Sequence, residues 1–201
     1  IEQKSKDGLF TRSNYIHPLW GINGTEITED FPADHLYHRG VFWAWQQIWH
    51  GNQRIANGWE LKDFEQDVVE VEFRAGKNGT AILQTEVLWK SEKYNRLSQK
   101  IPYLKENSTI TIHPVEKNYR IIDFEIQLVA LEDSIKIGGS DDEKGVGGCS
   151  VRMLLPDDIT FNGPEGKISL SETQVESNGY VNISGTTVGK KGQEGIVIVD
   201  K

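Results

Sequence analysis

The feature that most restricts the fold of this chain is an alternation of apolar and polar side chains that recurs along most of its length. Val69, Val71 and Phe73 alternate with Glu70, Glu72 and Arg74; Ile122, Phe124, Ile126, Leu128 and Ala130 alternate with Asp123, Glu125 and Gln127. A period of two sends neighbouring side chains to opposite faces of a strand, so each run offers one face to a core and one to solvent. The same pattern predicts strands over 80–90, 108–113, 149–155, 167–171, 180–184 and 195–199. Turn material separates them, including Asn78-Gly79, Asn162-Gly163 and Asn178-Gly179. No stretch of a dozen residues keeps an apolar stripe at helical spacing, which argues against a βα succession. The expectation is an all-β fold, a large and mainly antiparallel β-sandwich forming one domain over residues 1–201.

Charge and cysteine content narrow the partners. A formal net charge of −8 opposes attraction to phosphate, and no run of Lys and Arg interleaved with aromatics offsets it, so nucleic acid is not an expected partner. The apolar stretches are too short and too interrupted by charge to insert in a bilayer as a helix. Cys149 is the single cysteine, which rules out an intrachain disulfide and the multi-cysteine zinc sites; its apolar strand context predicts a small buried side chain. The chain begins at Ile1, and a removed export signal is compatible with that start. Its last apolar run, Ile196-Val197-Ile198-Val199, must pair within a sheet or else belong to a longer domain. Nothing in the pattern dictates an oligomeric state.

Residues 15–50 hold four of the five histidines and four of the six tryptophans. At its centre lies Phe31-Pro32-Ala33-Asp34-His35-Leu36-Tyr37-His38-Arg39-Gly40, a polar loop followed by the aromatic strand Val41-Phe42-Trp43-Ala44-Trp45. A polar loop anchored on a rigid strand is a common setting for a site. His17, Asp34, His35, His38 and Arg39 are the candidate catalytic residues. Histidine serves as acid or base near neutral pH, an adjacent carboxylate fixes its tautomer, and an arginine stabilises an oxyanion or carboxylate. Trp43, Trp45 and Trp59 are candidate walls for a sugar ring, with Lys144 and Arg152 as further substrate contacts. A carbohydrate or other small molecule is the expected ligand.

Two other readings use the same residues. His17, Asp34, His35 and His38 are suitable ligands for a catalytic divalent metal, although His-x-x-His in a loop fixes no common point for the two rings. No structural metal or other cofactor is expected. Alternatively the imidazoles satisfy backbone carbonyls and the tryptophans fill a wide core. The 138–148 loop, with Asp141, Asp142 and Glu143 between glycines, reads as solvated. His113 before Pro114 reads as structural, and Glu60 and Asp63 as plausible second carboxylates.

The segments Tyr15-Ile16-His17-Pro18-Leu19, Asn23-Gly24, Asp34 to Gly40 and Phe42-Trp43-Ala44-Trp45 resemble a bacterial family of unknown function, DUF6807, whose members are commonly labelled methane oxygenase PmoA-like. Asp123-Phe124-Glu125, Gly138-Gly139 and Lys144 to Gly148 through Arg152 resemble its second block. The resemblance implies an exported protein, periplasmic or secreted, of bacteria that degrade complex glycans, with a fold similar to the galactose-mutarotase supersandwich. It also implies that the family domain continues past Val199 in a segment rich in His, Pro and Trp. The chain departs from the family at Tyr37-His38-Arg39, where members often carry His-His-Arg. Methane oxidation is not the expected activity, because those oxygenase subunits are membrane proteins.

Overall fold

The computed structural model describes residues 3–4, 8–186 and 193–199. Strands make up 53% of the chain, and among the described residues the one helical element is a single 3-10 turn at Lys77–Gly79. The fold is all-β and every strand pairing is antiparallel.

The longest sheet runs in the order Ile122–Ala130, Leu104–Ile112, Ala81–Lys90, Glu65–Ala75. Its register places Val68, Val87, Glu106 and Leu128 in one row and Gln66, Trp89, Leu104 and Ala130 in the next. Against this face packs a layer formed by Gln47–His50 and Gln53–Ala56 with Ile135–Gly138, and by Val41–Trp45 paired with Gly147–Val151. Ile48, Ile55 and Ala56 from one layer meet Val87, Trp89, Tyr103 and Leu104 from the other, forming the core. Trp45, Phe64, Leu128 and Ile135 pack around it.

The alternation holds along the long strands, but burial follows position in the sheet. Val71 and Phe73 sit on an edge strand, beyond the covering layer, and are 58% and 66% exposed. A register shift between Val68 and Glu70 leaves Val69 outside the ladder, so Val68 takes the inward place. On the opposite edge Leu128 packs against the core while Ala130 is exposed. Cys149 is also exposed, contrary to the expectation of burial, because Gly147–Val151 pairs only with Val41–Trp45. The run at 167–171 contributes only Lys167, in the two-residue strand Gly166–Lys167, and 149–155 stops at Val151. The apolar run 196–199 is paired, as part of Gln193–Val199, with Tyr180–Thr186.

Candidate functional site

The strand Val41–Trp45 is the partition on which the site is built. Val41, Phe42, Trp43 and Ala44 are all buried, as expected of a strand covered on both faces. Period-two geometry sends Trp43 and Trp45 to one side and Phe42 to the other. On the first side Trp43 donates its indole N–H to Glu106 at 2.5 Å, and Trp45 packs on Trp89 with ring centroids 6.1 Å apart. Both tryptophans therefore lie on the core side, away from the imidazoles. On the other side Phe42 meets His38, Trp59 and Arg12, at 5.7 and 5.4 Å between ring centroids and 4.6 Å from the guanidinium carbon.

The loop before this strand is held by its own ends. Asp30 and Arg39 form an antiparallel bridge, and Arg39 Nη1 donates to both Asp30 carboxylate oxygens at 3.1 and 3.2 Å. The Arg39 side chain is fully buried, its guanidinium over the Phe31 ring. Arg39 thus clamps the loop base. Gly40 follows at φ +24°, and a Cβ there would stand 2.0 Å from the Ile16 carbonyl oxygen, so only glycine lets the two segments close. The His35 amide donates to Pro32 O and the His38 amide to His35 O, which curls the loop so that the two imidazoles stack. Their centroids are 4.8 Å apart and their planes 5° from parallel.

Aromatic edges complete the cluster. Tyr37 meets His35 and His38 edge-on at 5.6 and 4.9 Å, and Trp59 meets His38 edge-on at 5.4 Å. At the rim, Arg152 Nε donates to Glu29 at 3.0 Å and Nη2 to Asp34 at 2.8 Å, while His35 Nδ1 lies 2.9 Å from the other Asp34 oxygen. His35, and then Arg152, hold the Asp34 carboxyl down at about 2. Burial, with the positive charges of His35, Arg152 and Arg12 acting in the same sense, pushes His38 down to about 4, so its ring is neutral at physiological pH. Burial and the Glu60 carboxylate raise the Tyr37 phenol.

Asp34, His35, His38, Trp59 and Arg152 are therefore brought together, and the other candidates sit elsewhere. His17 engages Thr28, its Nδ1 3.0 Å from the hydroxyl, and its Nε2 is 3.6 Å from Glu26. Glu26 in turn lines a mostly apolar groove of about 380 Å³, bounded by Thr25, Met153, Leu155 and Ile183. Lys144 lies on the exposed turn of the 138–148 loop, which Gln47 ties down through Gly139 O and Asp141. Glu60 and Asp63 are paired with Lys62 and Lys93, and His113 with Asp123. No three His, Cys, Asp or Glu side chains among the described residues gather where they could hold a metal ion. Two parallel imidazoles share no in-plane point, so the stacked rings do not aim their lone pairs at one ion in this arrangement.

The profile of a family of unknown function, DUF6807, matches residues 2–201. The chain belongs to this family. No curated protein and no solved structure matches it. Among the described residues no helix is long and apolar enough to cross a membrane.

One residue beneath the cluster that the sequence does not announce is Arg12. It lies 1% exposed under Phe42, and its Nη2 donates to Gly58 O at 3.1 Å and Trp59 O at 2.9 Å. Its Nε and Nη1 have no hydrogen-bond partner among the described residues, and neither does His38 Nε2. Burial, with Arg39 beside it, lowers the guanidinium to about 9, so it still carries its charge at neutral pH. Its flanks, Thr11 and Ser13, give no periodic signal of a buried position, and only the fold reveals it.

Proposed function

We propose that this DUF6807 chain is a carbohydrate-active protein that binds a sugar against the surface formed by His35, Tyr37, His38 and Trp59. The observation that carries the reading is the association of aromatic edges with unengaged polar nitrogens: sugars present apolar C–H faces and hydroxyls together, and both kinds of partner are needed. His35 beside Asp34 is the pair suited to proton transfer, with Asp34 fixing the ring and Arg152 fixing Asp34. The reaction class consistent with this set is lyase, epimerase or hydrolase chemistry. The resemblance to exported proteins of glycan-degrading bacteria supports a periplasmic or secreted setting and a galactose-mutarotase-like form of the sandwich.

A non-catalytic glycan-binding module is the second reading, and a specific observation favours it. A carboxyl held at about 2 is a weak base, which suits Asp34 for orientation better than for proton abstraction. Screening the full-length protein and the His35→Ala and His38→Ala variants against a glycoside panel separates the two. Turnover that disappears in His35→Ala supports catalysis; binding without turnover supports the module; a chain that neither binds nor turns over any glycan contradicts both.

A further inference from the structure

Buried polar groups in folded proteins are almost always bonded, and a buried charge left with open donors is the costly exception. Arg12 is such an exception. Its guanidinium has no ion-pair partner among the described residues, and the two carbonyls it reaches use only Nη2. Glu106, the carboxylate that acts on it electrostatically, is occupied by Trp43, Trp89 and Asn14 at 2.5, 2.8 and 2.6 Å. Two N–H groups of a positive side chain thus remain open beside the Phe42 ring and the Trp59 carbonyl.

His38 packs on the same Phe42 ring and on the Trp59 indole, and it holds a second open polar atom, Nε2. An open guanidinium N–H gives a charge-assisted hydrogen bond to a carboxylate oxygen, and an imidazole N–H adds a further donor to the same anion. We propose that Arg12 and His38 form a receptor for the carboxylate of an acidic ligand, which on the carbohydrate reading above makes the ligand a uronic acid or its glycoside. Because Arg12 is 1% exposed, the carboxylate reaches it only when a cover moves. His35, stacked on His38 with its side chain 44% exposed and its Nδ1 2.9 Å from Asp34, is the part of the cluster that opens to solvent. The exposed end of the cluster thus meets the sugar ring, and the buried end takes its charge.

The test is calorimetric titration of the full chain with glucuronate, galacturonate, glucose, galactose and acetate. Uronates are expected to bind at least about tenfold more tightly than the matching neutral sugars, as a charge-assisted hydrogen bond would give. In Arg12→Gln that preference disappears while neutral-sugar binding persists. His38→Gln, which leaves Arg12 in place, is expected to lower uronate affinity by about threefold to tenfold, and it keeps the test valid if Arg12→Gln does not fold. Equal affinity for uronates and neutral sugars would overturn the carboxylate receptor and leave the sugar reading standing. Acetate binding that depends on Arg12, without any sugar binding, would keep the receptor and overturn the sugar reading. Binding of no probe would overturn the receptor, with solvent as the occupant of those donors.

Discussion

Two buried polar clusters flank the same strand, and they are built on opposite rules. On the core side of Val41–Trp45, Glu106 accepts from Trp43, Trp89 and Asn14; Asn14 also donates to Ser108 and accepts from Thr85. Every one of those groups has a protein partner. On the other side, a buried Arg12 and a half-buried His38 pack on Phe42 with three ring or guanidinium nitrogens open. A satisfied network fixes a fold, whereas an open one has capacity for something else. The difference teaches that burial of a charged residue does not by itself mark a site; unfilled bonding capacity does.

The comparison breaks first at Glu106. Glu106→Ala removes the common acceptor of three buried donors, and the expected loss is about 3–5 kcal/mol of stability by urea unfolding. A loss under about 1 kcal/mol would mean that the network does not hold the sheets together.

The next effect is pH dependence. His38 titrates at about 4 in the folded chain against 6.5 ordinarily, so its contribution to stability is complete above pH 6.5 and is lost as pH falls from 6.5 through 4. The expected size is about 2–3 kcal/mol, read by urea midpoints across that window, and His38→Gln should flatten the profile there. Glu106 works in the opposite sense, since burial raises its carboxyl and its contribution fades as pH rises through the raised value. A profile unaffected by His38→Gln would remove His38 from the buried cluster.

Arg12→Met sharpens the contrast. It forfeits the bonds to Gly58 O and Trp59 O but relieves a buried charge that lacks an ion-pair partner, so the net change should stay within about 1.5 kcal/mol. A loss as large as that of Glu106→Ala would make Arg12 a structural ion instead. Smallest of all, Asp34→Asn should leave stability nearly unchanged, because Asp34 is exposed and its pairs with His35 and Arg152 are screened. Any larger effect would mean that this rim braces the loop.

The sequence made the strands and the aromatic loop legible, for one physical reason each. Period-two alternation survives wherever a sheet has one wet face, so Ala81–Lys90, Ile122–Ala130 and the second half of Leu104–Ile112 could be read directly. Short strands such as Gln53–Ala56 and Ile135–Gly138 carry too few residues to show a period. In the site, the bridging by Arg152 joins residues over 100 positions apart, while Asp34, His35 and His38 are local enough to be noticed as a cluster. Trp43 and Trp59 look alike as residues; only strand direction sends the first to Glu106 and leaves the second against His38. Arg12 was hidden because a buried arginine reads in sequence like a solvated one.

The most direct test of the account is a two-dimensional NMR titration of the indole N–H signals with glucuronate and with an oligosaccharide containing it, each tryptophan assigned by substitution to Phe. The account predicts that the Trp59 signal moves with ligand concentration while those of Trp43 and Trp89, locked on Glu106, stay in place. Movement of Trp43 and Trp89 with Trp59 unmoved would contradict it, by putting the ligand on the core side of the strand.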